Sequence, residues 1–247
     1  MKVAALDNIR KELQSMADQD KAAILQRFFK TGPGQYGEGD IFIGVIVPLL
    51  RQVAKKFSQL PLEEIRMLLY SRIHEERLVA LLILVWRYSS SNTSSSAKKE
   101  KEEIVKFYLD NIKQVNNWDL VDVSAPNILG AYLVDSRDRR RLLYKLARSK
   151  NVWERRIAIV ATHRFIRKGD FSDTLKIAEM LLQDRHDLIH KAVGWMLREV
   201  GKRDAAAEEA FLDKRCSVMP RTMLRYAIER LPESKRRRYR KAPIDRV

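Results

Sequence analysis

The chain is poor in glycine, proline and cysteine, and these shortages exclude several kinds of protein. Its 247 residues include 9 Gly, 7 Pro and 1 Cys. The single cysteine, Cys216, cannot form a disulfide within the chain, which indicates a reducing compartment, so we expect a soluble, cytoplasmic protein. The longest apolar run, residues 78–86, is too short to span a bilayer, so no membrane partner is expected.

Acidic residues are also scarce relative to basic ones. Lys and Arg number 48 against 32 Asp and Glu, which gives a formal net charge of +16. Such an excess generates a field that attracts polyanions, and nucleic acid is the expected partner. A merely basic soluble protein is the alternative that charge alone leaves open.

What the chain has in abundance is helical periodicity. Apolar residues recur at intervals of three and four while β-branched alternation is rare, so the sequence predicts an all-α protein. The first two helices are expected at residues 6–16 and 21–30. A glycine-rich loop follows at residues 31–40, and because it lacks a Gly-Lys-Ser/Thr ending and a preceding strand, it does not predict a phosphate-binding P-loop.

A glycine and a proline open the next predicted helix. Gly44 and Pro48 let backbone amides approach a phosphate, and Arg51 follows within the helix. Gly44 and Arg51 are therefore candidate DNA-binding residues, although an ordinary turn and helix start explains the same pattern.

Helices then recur in pairs. Second helices are predicted to begin near residues 74, 117, 151, 187 and 219, close to the ~40-residue period of HEAT and armadillo repeats. One longer interval contains a serine-rich insertion at residues 89–96. We expect a superhelical solenoid of HEAT-like repeats with a concave basic groove. We expect it to form a single domain over residues 1–247, with N-terminal helices at 1–57, repeats at about 58–232 and a basic tail at 233–247.

The segment Asn-Trp-Asp-Leu-Val-Asp at residues 117–122 is the centre of the candidate site. Trp118 and Asp122 are spaced to lie one turn apart on one helical face, where an indole and a carboxylate can cradle a cation. Arg156 and Trp195 occupy comparable positions in helices that begin near residues 151 and 187. Stacked repeats are expected to present all four to a common surface.

Other candidate residues give weaker evidence of a functional role. His186 and His190 have a metal-like spacing but no third ligand, so no metal is expected. His74 and His163 show no partner pattern. The basic stretch at residues 235–241 is consistent with a tail that touches DNA or with a solvated end.

Several segments of the chain resemble the HEAT-like-repeat DNA alkylation repair glycosylases, the AlkD family. The resemblance lies in residues 42–48, 74–84, 117–122, 151–160 and 191–199. It implies that Trp118, Asp122 and Trp195 are catalytic and that Arg156 and Lys191 contact DNA. The chain departs from the family pattern in its serine insertion, in its basic tail, and at Asn117, where some relatives have another Trp.

The resemblance implies a monofunctional DNA glycosylase. It would excise positively charged alkylated purines, 3-methyladenine and 7-methylguanine, from double-stranded DNA in base excision repair, without flipping the base into a pocket. No cofactor is expected, and the protein is expected to be a monomer without an obligate protein partner. Two alternatives remain, namely a non-catalytic HEAT-repeat nucleic-acid-binding or scaffold protein, and a protein-interaction solenoid.

Overall fold

A computed structural model of the chain describes residues 3–90 and 94–241. Residues 91–93 of the serine-rich insertion and residues 242–247 of the basic tail lie outside the described residues. Within the described ranges the chain is helical, and the only β-type pairing there is an isolated parallel bridge between Ile41 and Ile73. The predicted all-α fold class is confirmed. In the same residues, no helix is both long and apolar enough to cross a bilayer.

Most helices follow one another with short connections, but α2 and α3 are separated by the long segment 29–46. They are α1 (Val3–Ser15), α2 (Gln19–Phe28), α3 (Val47–Lys56), α4 (Leu62–Leu69), α5 (His74–Ser90), α6 (Ser95–Asp110), α7 (Trp118–Ser124), α8 (Ala131–Leu133), α9 (Arg141–Ala147), α10 (Val152–Ala161), α11 (His163–Arg167), α12 (Ser172–Met180), α13 (Asp187–Gly201), α14 (Ala205–Arg215), α15 (Arg221–Ala227) and α16 (Glu233–Lys241). Single 3₁₀ turns lie at Ile112–Gln114, Arg137–Arg140 and Ile228–Arg230, and a π-helical turn lies at Pro126–Gly130.

The predicted second helices of each pair begin within two residues of the expected positions. They are α5, α7, α10, α13 and α15. Two of these starts are set by asparagine caps, because the side chains of Asn117 and Asn151 accept hydrogen bonds from first-turn backbone amides at 2.8 Å. Such caps satisfy amides that have no partner within the helix.

The chain divides into two compact units, unit 1 (Met1–Ile128) and unit 2 (Leu129–Val247). The core of unit 1 is built on α5, whose residues 78–84 are all buried and against which α3, α4 and α7 pack. Unit 2 is built on α13, which packs against α10, α14 and α15. A β-carbon on Gly194 of α13 would lie 2.4 Å from the carbonyl oxygen of Met223, so the approach of α13 to α15 requires glycine there.

The basic segment that begins at residue 233 is helical as far as Lys241. One side of this helix, α16, is docked on α14. Tyr239 is buried, and its hydroxyl donates a hydrogen bond to Asp213 at 2.9 Å. Lys235 pairs with Glu209 at 2.6 Å, and Arg238 pairs with Asp213 at 2.8 Å. The helix is therefore a packed part of unit 2.

Candidate functional site

The first turn of α7 in unit 1 carries the tryptophan and the aspartate singled out by the sequence. Trp118 is the first residue of the helix, and its backbone N–H donates to the side chain of Asn117 at 2.8 Å. Asp122 follows one turn later, and both side chains are half-buried. Because residues four apart lie on the same helical face, the indole and the carboxylate are neighbours on α7.

An aromatic stack supports Trp118. Its ring lies parallel to that of Phe29, with centroids 5.0 Å apart and an interplanar angle of 5°. Phe29 stacks on Phe42 at 4.7 Å, and Phe42 stacks on His74 at 4.4 Å. Phe28, which is 61% exposed, meets the indole edge-on at 5.9 Å. The orientation of Trp118 is thus set by aromatic contacts from α2 and from the segment before α3.

An ionic cluster, formed by Asp40, His74, Arg77 and Asp119, lies behind this stack. The ring of His74 is hydrogen-bonded through Nδ1 to Asp40 at 3.0 Å and through Nε2 to Asp119 at 2.7 Å. Arg77 donates to Asp40 at 2.7 Å, and the amide of Asn117 donates to the same carboxylate at 2.9 Å. The cluster therefore ties α5 and the loop before α3 to the start of α7.

The protonation of the cluster follows from its contacts. Burial alone would lower the pKa of His74, but the hydrogen bonds with Asp119 and Asp40 outweigh it, so the pKa is raised. Burial alone would raise the pKa of Asp40, but His74 and the charge of Arg77 outweigh it and lower the pKa. These contacts favour the imidazolium form of His74, in which both ring nitrogens donate to carboxylates.

The sequence shows no partner pattern for His74, and this absence was misleading. Its two partners are 34 and 45 residues away in the chain, in a loop and in another helix. No local spacing encodes such contacts. The only signal is that His74 and Asp119 both lie in segments that carry the family resemblance.

Gly44 and Arg51, the expected DNA contacts of unit 1, have different surroundings. Gly44 has φ of +86°, and a β-carbon there would lie 2.0 Å from the carbonyl oxygen of Asp18. Its backbone N–H donates to the buried carboxylate of Glu75 at 2.8 Å, as does that of Ile43 at 3.1 Å. Gly44 thus has a structural role, and its contact with DNA stays a prediction. Arg51 is exposed on α3.

In unit 2, Arg156 lies on α10 and is only 4% exposed. Its Nη1 donates to the backbone oxygen of Leu188 at 2.6 Å, in the first turn of α13. Lys191, one turn further along α13, is half-buried and pairs with Asp187 at 2.7 Å. The structure therefore brings Arg156 against the helix that also carries Lys191 and Trp195.

Trp195 is half-buried on α13, and a carboxylate fixes its indole. The ring N–H donates to Glu199 at 3.1 Å, and Lys202 pairs with the same carboxylate at 2.6 Å. Burial would raise the pKa of Glu199, but its contacts with Lys202 and Trp195 outweigh this and lower it. His163 lies beside the indole with ring centroids 5.9 Å apart, and burial lowers its pKa. The ring of Trp195 therefore contacts a carboxylate whose ionised form is favoured and an imidazole whose neutral form is favoured.

The three helices that carry the candidate residues are capped at Asn117, Asn151 and His186. The third cap lies one residue before the start expected from the sequence. Arg156 is five residues beyond its cap, Asn151, and Trp195 is nine residues beyond its cap, His186. The difference of four residues is about one helical turn, so the two side chains lie on corresponding faces of their helices.

The candidate residues are divided between the two units. Trp118 and Asp122 belong to unit 1, and Arg156 and Trp195 belong to unit 2. The common surface expected for all four stays a prediction.

The histidines with metal-like spacing have structural contacts. The Nδ1 of His186 accepts a hydrogen bond from the backbone N–H of Leu188 at 3.2 Å. Across residues 3–90 and 94–241, no three His, Cys, Asp or Glu side chains are grouped so that they can hold a metal ion.

Comparisons with known proteins identify relatives of this chain. A family described as DNA alkylation repair enzyme matches residues 9–231. A structure described as a predicted DNA alkylation repair enzyme from Enterococcus faecalis is similar in fold, with 16% identity, a TM-score of 0.66, and 88% of this chain and 98% of that chain covered. The crystal structure of AlkD2 from Streptococcus mutans is also similar, with 14% identity, a TM-score of 0.56, and 93% and 99% covered. No curated protein matches the chain.

Proposed function

The chain belongs to the DNA alkylation repair enzyme family, and we propose that it is a DNA glycosylase that removes positively charged alkylated purines, 3-methyladenine and 7-methylguanine, from duplex DNA. The observation that carries the proposal is the face of α7, on which Trp118 and Asp122 lie one turn apart. Aromatic packing and the ionic cluster hold that face in place. An indole beside a carboxylate suits a cationic substrate.

The chemistry of the substrate explains why these residue types suffice. Alkylation at N3 of adenine or N7 of guanine places a positive charge on the purine. When the glycosidic bond breaks, the base leaves as a neutral molecule and positive charge develops on the sugar. Because the leaving group is already activated, no general acid is needed. The enzyme has to stabilise a cation and place a water molecule.

We assign Asp122 the main electrostatic role. A carboxylate beside the developing sugar cation stabilises the transition state more than the ground state, and it can orient the attacking water. Trp118 and Trp195 would contact the cationic nucleotide through their ring faces, at ~0.5–2 kcal/mol each. The stack on Phe29 and the hydrogen bond to Glu199 support this assignment, because each fixes an indole before substrate binds.

The remaining candidates are proposed to hold the DNA backbone. Arg156 would bind a phosphate near the lesion through its planar guanidinium, which requires this buried side chain to become accessible when DNA binds. Arg51 and Lys191 would add phosphate contacts that give position without sequence readout. Gly44 would contribute by letting the start of α3 approach the backbone.

The proposal extends to how the DNA is held. The helix pairs within each unit, such as α4 with α5 and α9 with α10, support HEAT-like repeats. We propose that the damaged base is excised without being flipped into a pocket. The superhelical solenoid and its concave basic groove stay predictions.

The test is release of 7-methylguanine and 3-methyladenine from methylated duplex DNA under single-turnover conditions. We expect Asp122→Asn to release the bases at least about tenfold more slowly than wild type, as is typical when a preorganised electrostatic group is lost, with DNA binding kept. Asp7→Asn is the matched control, because it makes the same change on an exposed part of α1 in the same unit. It should leave the rate unchanged.

The alternative function makes a different prediction for the same experiment. A non-catalytic nucleic-acid-binding protein would release no base from either variant while still binding duplex DNA in a salt-dependent way. That result would reject the glycosylase.

A further inference from the structure

The outer side of α16 carries three arginines gathered around one acid. Arg236, Arg237 and Arg240 each pair with the carboxylate of Glu233, at 3.2, 3.2 and 2.8 Å. We refer to these three arginines as the arginine cluster. Their side chains are 39%, 72% and 50% exposed, so the guanidinium groups are held in place yet accessible from solvent.

Among residues 3–90 and 94–241, the ion pairs of the arginine cluster do not balance its charge. A single carboxylate serves three guanidinium groups, and the other basic residues of α16 that pair with α14 face away from it, toward Glu209 and Asp213. Like charges gathered this closely repel one another. A second anion between the arginines would relieve that repulsion, and phosphate matches the planar fork of guanidinium best.

Helix α16 is also ordered before any partner binds. Tyr239 is 1% exposed and donates to Asp213 at 2.9 Å, so α16 is already ordered on α14. A partner that binds an ordered helix does not have to supply the free energy of ordering it.

The composition of α16 favours DNA over a membrane surface. Amphipathic helices that bind membranes need an apolar face to insert among the lipids. The sequence of α16, ESKRRRYRK, has Tyr239 as its one apolar side chain, and that ring is buried against unit 2. The outer side of α16 therefore carries charged side chains, three of them arginines, and no apolar face.

We propose that the arginine cluster binds the phosphate backbone of duplex DNA as a contact separate from the excision site. The proposal rests on the proposed function only in taking DNA as the partner. The family match ends at residue 231, and α16 begins at Glu233, so this contact goes beyond the segment by which the family is identified. Its effect would be to increase affinity for DNA of any sequence.

The test compares two triple variants that lose the same formal charge. One is Arg236→Gln/Arg237→Gln/Arg240→Gln. The control is Lys98→Gln/Lys99→Gln/Lys106→Gln, which removes three exposed lysines from α6. Binding of a fluorescent, undamaged duplex is measured by anisotropy between 50 and 300 mM NaCl, and folding is checked by circular dichroism.

For the arginine variant we expect about tenfold or greater loss of affinity at 0.1 M salt. The slope of log K against log salt should also become shallower by about 2.7 if each of the three arginines contacts a phosphate, because each lost contact contributes about 0.9. The lysine control should change the slope by less than about half a unit. Equal slopes for the arginine variant and wild type would overturn the proposal.

Two further measurements separate the proposal from its alternatives. Stronger binding to vesicles containing phosphatidylserine than to DNA, lost in the arginine variant, would make the partner a membrane and overturn the proposal. Single-turnover excision at saturating protein should be the same in the arginine variant and wild type. If wild type excises nothing, the proposed function fails, and the binding slopes still decide whether the arginine cluster contacts DNA.

Discussion

His74 joins residues that are far apart in the chain. Both ring nitrogens are hydrogen-bonded to carboxylates, one in the loop before α3 and one in the first turn of α7. Because the pKa of His74 is raised in the folded protein, the stability it contributes is fully present below its ordinary value of 6.5. That stability is lost as the pH rises through the folded-state pKa.

We therefore expect His74→Gln to lower the free energy of unfolding by about 3 kcal/mol at pH 6, because the change leaves Asp119 without its cation and the buried Asp40 with Arg77 alone. The difference from wild type should shrink as the pH rises above 6.5. Urea unfolding at pH 6 to 9 measures it. His163→Gln is the control of opposite sign, because burial lowers the pKa of His163. A difference between wild type and His74→Gln that does not change with pH would contradict this account.

Glu199 is expected to act on excision through Trp195. In Glu199→Ala the indole N–H loses its acceptor, so the ring should become mobile, with a red-shifted Trp fluorescence and an excision rate lowered by about three- to tenfold. Glu199→Gln keeps an acceptor oxygen and should restore most of the rate. If both variants behave like wild type in the excision assay, the hydrogen bond has no part in positioning the indole.

These residues show which parts of the site a sequence can reveal. Trp118 and Asp122 are separated by one helical turn, so their proximity on α7 follows from local periodicity alone. The aromatic stack and the ionic cluster depend on contacts between α2, the loop before α3, α5 and α7. Periodicity predicts the face of each helix, but it does not specify which side chain of another element meets that face.

For the helices, the sequence predicts the residues at which they start better than the places where their regular geometry is interrupted. Asparagine caps at the starts of α7 and α10 are readable in the sequence. The π-helical turn at Pro126–Gly130 was not predicted. Proline there lacks the N–H that a regular helical hydrogen bond requires. A proline after a helical segment usually marks the end of the helix, but here it lies in a π-helical turn. The sequence pattern alone does not distinguish these two outcomes.

Gly194 sets the distance between α13 and α15. In an exposed helix, Gly→Ala stabilises by about 0.5–1 kcal/mol. Here the added methyl group would lie 2.4 Å from the backbone oxygen of Met223, so we expect Gly194→Ala to destabilise by about 1–3 kcal/mol. Thermal unfolding measures the change. Gly32→Ala, whose methyl group would meet only the side chain of Gln35, should be close to neutral, and an equally neutral Gly194→Ala would refute the packing argument.

At the scale of the whole molecule, the all-α class could be predicted because it depends on composition and periodicity, which are properties of the entire sequence. The family could be predicted because several short segments occur in a fixed order. The single domain expected over residues 1–247 stays a prediction. Domain organisation depends on contacts between elements, which the sequence pattern does not specify. In the structure the chain divides into two compact units.

Net charge gives a prediction that also belongs to the whole molecule. With a formal charge of +16, the protein should bind undamaged duplex DNA, and log K should fall with log salt with a slope steeper than about −4, as expected for several phosphate contacts. Anisotropy between 50 and 200 mM NaCl measures the slope. Affinity that is insensitive to salt would indicate that the basic residues do not contact the phosphate backbone.

The ionic cluster of unit 1 also constrains how this sequence can evolve. With His74 in its imidazolium form, Asp40, His74, Arg77 and Asp119 carry two negative and two positive charges, so the four together are neutral. A single substitution leaves a buried charge unpaired, which costs about 3–5 kcal/mol, whereas exchanging the whole set for apolar residues need not destabilise. Lineages that leave this arrangement must therefore pass through less stable intermediates or change several positions together.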